Sequence, residues 1–371
     1  MMTGIIFSNI YDTALGVLSA NRTVASLPFG GRYRFIDFTL SNMVNSGVRN
    51  IGVITKYNYQ SLMDHLGSCQ EWDLNNKNDS LYIIPPFASG RSEVYRGKLE
   101  ALHTSINFLK SQKSQYVLLS DTITICNIDY REVLEEHIKS GADVTLIATK
   151  PANYTDDHVV VVEADSDNKA TKITLNYPAS EKALVGMGMF IMDREILIKE
   201  VEEAVADGFF HFEKDFVQKK FNLGTLNINI YEFEDVVLRN KDISTYFKNN
   251  LSLLDEKVRK GLFKKNSPIY TKVRDEIPSY YGENSVVNEC VIADGCKIEG
   301  FVENSIIFRD VKIAEGVQII NSVIMQGTKI AKDAYIENAI LDKNVTITEG
   351  IRLIGASDNP VIIKKGETVW K

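Results

Sequence analysis

The pattern of apolar and polar positions divides the chain into two regimes. Through residue 254, short apolar runs alternate with stretches of helical periodicity. The runs at 3–7, 51–54, 81–84, 116–119, 143–149, 159–162 and 186–191 read as strands. Residues 98–110 carry Leu99, Leu102, Ile106 and Leu109 on one face, the spacing of an amphipathic helix. Residues 131–140 and 243–254 read as further helices. Strands alternating with helices predict an α/β sheet. Residues 255–266 are charged and read as a helix end and linker. Beyond them the period changes. Asn304-Ser305-Ile306-Ile307, Asn321-Ser322-Val323-Ile324 and Asn338-Ala339-Ile340-Leu341 recur every 17 residues. Ile313, Ile330 and Ile347 form a second column, and Ile319, Ile336 and Leu353 a third. Apolar residues thus recur about every six positions, three per coil, the pattern of a hexapeptide β-helix with one continuous core. The three asparagines should stack at a corner where positive φ is tolerated.

The stretch 28–47, PFGGRYRFIDFTLSNMVNSG, stands out in the first regime. Gly30 and Gly31 allow a turn or a close backbone approach to a ligand. Arg32 and Arg34 could face an anion. Ser41 or Asn42 would cap a helix, Gly47 would end it, and 51–54 follows as a strand. A nucleotide-binding unit and an ordinary βαβ crossover both fit this spacing. Trp72, within a polar segment, could stack on a base, although a lone tryptophan in such a setting more often covers a core edge. His103 reads as a packed or surface histidine.

Composition narrows the class. The chain has 371 residues, enough for two domains, with 44% hydrophobic and 25% charged residues. Its formal net charge of −7 argues against a nucleic-acid groove. No apolar run reaches the ~18 residues of a membrane span, and the first residues read as a strand, not a leader. The four cysteines, Cys69, Cys126, Cys290 and Cys296, form no C-x-x-C pair, which argues against structural zinc. Cys290 and Cys296 fall in the inward β-helix columns. A reduced, cytoplasmic protein without nucleic-acid or membrane partners is expected.

The motifs resemble the bacterial glucose-1-phosphate adenylyltransferases (ADP-glucose pyrophosphorylases), in particular that family's non-catalytic, glycogen-biosynthesis type of subunit. Catalytic members read close to PFGGKYRIIDFPLSN at 28–42. The similarity continues through Asn45-Ser46-Gly47, Val53-Ile54-Thr55, Tyr95-Arg96-Gly97, Gly186-Met187-Gly188 and Asn321-Ser322-Val323-Ile324-Met325. It implies an N-terminal Rossmann-like nucleotidyltransferase domain (1–235), a linker helix (236–266) and a C-terminal left-handed parallel β-helix of hexapeptide type (267–371).

The same resemblance implies that the chemistry is degraded. The family's phosphate loop GGxGTRL matches Asn9 to Gly16; both leading glycines are absent, Asp12 adds negative charge, and the arginine falls on Ala14. The lysine of RAKP falls on Val24. Each charged hydrogen bond lost to a polyphosphate is worth ~1.5–3 kcal/mol. The metal-binding aspartate of Ser-Gly-Asp-His falls on Ile123 without gaps, or on Asp121 with one. The lysine of F-x-E-K-P, which grips the sugar phosphate, falls on Tyr177. The second metal aspartate of YWxDVGT falls on Arg239, which would repel Mg²⁺. Catalytic residues are therefore not expected, with Asp121 the remaining candidate. Candidates for binding a nucleotide or sugar phosphate are Gly30, Gly31, Arg32, Arg34, Gly97, Gly186 and Tyr177. Mg²⁺ is expected only through a catalytic partner subunit.

Three functions are consistent with this reading. One is a catalytically impaired regulatory subunit that pairs with a catalytic ADP-glucose pyrophosphorylase subunit, in a heterotetramer by resemblance, with a sugar phosphate or nucleotide as effector. Another is an adenylyltransferase active in its own right. The third is a sugar-phosphate-binding module without an enzymatic partner. The loss of the phosphate loop, the metal aspartates and the substrate lysines disfavours the second.

Overall fold

The computed structural model describes residues 2–8, 15–76, 79–86, 95–150, 159–175 and 182–371. Contacts group the chain into two compact units. The first comprises residues 1–10, 38–237 and 265–270; the second comprises 11–37, 238–264 and 271–371. Each unit draws on separate stretches of the sequence. Residues 11–37 join the second unit because their partners lie there. Tyr246 donates its hydroxyl to the Pro28 carbonyl at 2.6 Å, and the Gly30 N–H donates to Asn250 Oδ1 at 3.1 Å.

Among the described residues, the first unit is built on a nine-stranded sheet. Its strands are β1 (Met2–Phe7), β2 (Asn50–Ile54), β3 (Ser80–Ile84), β4 (Tyr116–Asp121), β5 (Val144–Thr149), β6 (Val160–Ala164), β7 (Ala170–Leu175), β8 (Leu184–Asp193) and β9 (Ile228–Glu232). The order is β7-β6-β8-β4-β1-β2-β3, with β5 also beside β8 and β9 beside β5. β1 runs parallel to β2 and β4, and β2 parallel to β3. β8 is antiparallel to β4, and β6–β7 form an antiparallel pair, so the sheet is mixed. Ile5, Phe7, Leu119, Leu146 and Phe190 of the sheet pack with Leu99, Leu102, Leu197, Phe212 and Phe216 of the helices. Burying such side chains contributes ~1.5–3 kcal/mol each.

Two local expectations change. The helix after Arg34 spans Phe35–Asn45, so Ser41 and Asn42 lie inside it and do not cap it. They are buried; Asn42 Nδ2 donates to the Cys126 carbonyl at 3.0 Å, and the Tyr270 N–H donates to Ser41 Oγ at 2.9 Å. Gly47, with φ +77°, follows the helix end as expected. The helix expected at 98–110 is two helices, Lys98–Thr104 and Ile106–Ser111, separated at Ser105, whose hydroxyl donates to the Leu102 carbonyl. Such local side-chain bonds compete with helix continuation. Trp72 is fully buried and packs edge-on to His65, so it covers core and stacks on no base.

In the second unit, residues 280–369 wind as a parallel β-helix with three sheets of short strands. Ile313, Ile330 and Ile347 are register partners, as are Ile319, Ile336 and Leu353. Asn304, Asn321 and Asn338 take φ of +46°, +46° and +48° at one corner. Between coils the Ser305 hydroxyl accepts from the Ser322 N–H, and the Ser322 hydroxyl accepts from the Ala339 N–H. Cys296 is buried in this core and Cys290 packs against it; both thiols are free.

Candidate functional site

In an open α/β sheet, ligands bind beyond the carboxyl ends of the strands, near the point where strand order reverses. Here that place is the end of β1 and β4, where Phe7 and Asp121 are register partners. Asp121 is the last residue of β4 and only 1% exposed. Ile123, the other sequence candidate, is buried two residues later and carries no oxygen to coordinate a cation. The structure therefore places Asp121, not Ile123, at the strand end.

The Asp121 carboxylate is held by a cation of the chain itself. Lys98 Nζ lies 3.0 Å from Asp121 Oδ2 and also pairs with Glu213. Lys98 is 4% exposed, and its ammonium stands 5.4 Å from the centroid of the Phe7 ring. Glu213 projects from Phe212–Gln218, a π-helical segment. Such widened turns are rare and recur at functional sites. Two glycines allow this arrangement. A Cβ on Gly97 would lie 2.2 Å from the Phe210 carbonyl oxygen, so only glycine lets the Lys98 helix start against that strand of backbone. Gly188, at φ +74°, sits beside Asp121; a Cβ there would lie 2.3 Å from Oδ2.

The other sequence candidates divide between the units. Gly186 packs against Leu146 and Val160 of the first unit's sheet, a core position. Gly97 serves the close approach just described. Ala14 and Tyr177 lie outside the described residues. Val24 is buried in a short turn of the second unit, and Arg239 is buried on Leu238–Arg239 there. Gly30 and Gly31 (φ +59° and +84°) turn an antiparallel hairpin between Pro28–Phe29 and Tyr33–Arg34. They pack against Leu253 and the β-helix residues Val291 and Ala293, which accounts for both glycines structurally. Arg32 is exposed, with its guanidinium 5.7 Å from the Tyr33 ring centroid, while Arg34 is buried.

Arg34 belongs to a second cluster, within the second unit, that sequence reading did not assemble. Buried Arg22 pairs with buried Asp342 at 2.5 Å. Arg22 Nη1 is buried and has no hydrogen-bond partner among the described residues. Lys343 is next in the chain. Burial pushes its ammonium down to about 6, the charges of Arg34 and Arg22 add to this, Asp342 opposes it, and Arg274 adds again. Arg22, Arg34 and Arg274 act together on buried Lys343 beside a single carboxylate, so this is a place where an anion would be stabilised. No sequence spacing marks it, since Arg22 and Asp342 stand 320 residues apart.

The resemblance implies Mg²⁺, and the residues present do not fit it. A divalent cation would have to displace a buried ammonium from Asp121, and among the described residues no three His, Cys, Asp or Glu side chains gather as a ligand set.

Comparison with known proteins agrees with this architecture. The family model described as nucleotidyl transferase matches residues 5–235, and the model described as GlmU-like, C-terminal hexapeptide matches 277–359. The glycogen biosynthesis protein GlgD of Geobacillus stearothermophilus is 34% identical over 98% of this chain and 96% of its own length. That of Bacillus subtilis is 32% identical over 86% and 82%. Glucose-1-phosphate adenylyltransferase of Bacillus mycoides is 30% identical over 86% and 85%. The chain, a Rossmann-like nucleotidyltransferase domain followed by a left-handed-type hexapeptide β-helix, belongs to the nucleotidyl transferase family, in the group that holds GlgD and glucose-1-phosphate adenylyltransferase.

Proposed function

We propose that this chain is a catalytically impaired, regulatory subunit of glucose-1-phosphate adenylyltransferase in glycogen biosynthesis. It would pair with a catalytic subunit, as a heterotetramer, and any Mg²⁺ in the complex would sit in the partner's active site. The observation that carries this reading is the Lys98 ammonium against Asp121. The carboxylate best placed to hold a metal is already neutralised by the chain. The substitutions at Ala14, Val24, Tyr177 and Arg239 support it, because each removes a charge that polyphosphate or metal chemistry needs. The ordered β-helix supports a docking role, since a solenoid offers flat faces and an end.

A companion reading concerns the regulatory input. The cluster of Arg22, Arg34, Arg274 and Lys343 favours an anionic effector, a sugar phosphate or a nucleotide.

The test is co-expression with a catalytic subunit, followed by size exclusion and an assay of pyrophosphate release from ATP and glucose 1-phosphate. The pure chain should release almost none. The pair should co-elute, with a rate or effector response that differs from the catalytic subunit alone. Separate elution with unchanged kinetics, or turnover by the pure chain near the ordinary enzyme scale of ~10 s⁻¹, would refute the reading.

A further inference from the structure

Lys98, Asp121 and Glu213 form a charge cluster. Glu213 is 115 residues from Lys98 in sequence and arrives on a segment of unusual helical geometry. The two carboxylates converge on one point, the ammonium nitrogen. The point is almost inaccessible: Lys98 and Asp121 are 4% and 1% exposed and Glu213 is 19% exposed. Burying two carboxylates together costs several kcal/mol per ion unless a cation neutralises them. The room for this cluster comes from Gly188, whose missing side chain leaves space for Asp121 Oδ2.

We propose that Lys98 is a resident cation, built into the chain at a position with the chemistry of a divalent-metal site, and that its removal opens an Asp121–Glu213 site for a hard divalent cation. Both groups offer carboxylate oxygens, the ligands that Mg²⁺ and Mn²⁺ prefer. An ammonium at 3.0 Å from oxygen occupies the volume in which such an ion would bind at ~2.1 Å. With the lysine present, two negative charges meet one positive charge, and a further dication would be repelled by the ammonium. With the lysine gone, the pair carries a charge that a single dication cancels. The lysine thus closes this site electrostatically and sterically, which differs from a site that has only lost ligands. The inference goes beyond the regulatory reading and does not rest on it, because metal binding by the isolated chain involves neither partner nor substrate.

The experiment is Mn²⁺ titration followed by electron paramagnetic resonance, on wild type, Asp121→Asn, Lys98→Ala, Lys98→Gln and Lys98→Ala with Asp121→Asn. Wild type and Asp121→Asn should bind Mn²⁺ alike. Lys98→Ala should gain one bound Mn²⁺, at least tenfold tighter than any ion on wild type, and lose it when Asp121 is also changed. Its melting temperature should rise with Mn²⁺ while that of wild type stays put. Lys98→Gln keeps a neutral donor for the carboxylates and serves if the alanine variant does not fold. A wild-type Mn²⁺ site abolished by Asp121→Asn would overturn the proposal without any lysine variant. Folded lysine variants that bind no more Mn²⁺ than wild type would overturn it equally.

Discussion

Replacing Asp342 with Asn tests the second unit's charge cluster. The substitution keeps shape and removes one negative charge. Arg22, 5% exposed and paired with Asp342 at 2.5 Å, would lose its counterion while buried. Its Nη1 already has no hydrogen-bond partner among the described residues. Breaking a buried pair from one side costs ~3–5 kcal/mol. For a unit of ~150–250 residues, each kcal/mol moves the melting temperature by ~2–4 °C, so a fall of about 6–20 °C is expected. Lys343 adds a pH signature. Its pKa in the folded chain is about 6, below the ordinary 10.5. Between those values the unfolded chain binds the extra proton, so the residue's contribution to stability rises with pH across that window. Asp342 opposes the depression, so removing it pushes the Lys343 pKa lower still and deepens the loss near pH 6. Phosphate should then stabilise the variant more than wild type, because an anion replaces the missing charge. Scanning calorimetry at pH 6 and 8, with and without millimolar phosphate, reads all three effects. A melting shift below 2 °C together with an equal phosphate effect on both proteins would refute the account of this cluster.

Two further outcomes follow from the second unit. Phosphate binding to wild type at pH 7 should be accompanied by proton uptake, because a bound anion favours the charged form of Lys343, whose pKa is otherwise about 6; calorimetry in buffers of different ionisation enthalpy measures it, and binding with no uptake would contradict the placement of the anion. Ile336→Ala, at a fully buried site stacked between Ile319 and Leu353, should cost ~2–5 kcal/mol in denaturant unfolding; a cost below 1 kcal/mol would mean that the column is not packed.

The contrast between what is local and what is distant runs through the whole molecule. The β-helix is legible in sequence because each coil repeats the same environment. An inward isoleucine every 17 residues and an asparagine able to take positive φ at the corner specify the coil. The strands of the α/β sheet are legible as apolar runs, since burial on both faces leaves that mark. Family motifs also marked where this chain replaces charged residues, as at Val24 and Ile123. Site assembly was not legible. Lys98 reads as one helix residue among others until the fold sets it against Asp121 and Glu213. Gly30 and Gly31 read equally as a turn or a ligand approach, and only the fold shows that the hairpin they turn packs on Leu253 and the β-helix. The segment 11–37 precedes most of the sheet but groups with the β-helix, where Arg22 finds Asp342. Sequence by itself determined the periodic elements, because periodicity expresses contacts that recur at short and regular separations. Only the tertiary structure decided the charge clusters, because a buried ion is satisfied by whichever opposite charge the packing brings near, and no spacing along the chain encodes that meeting.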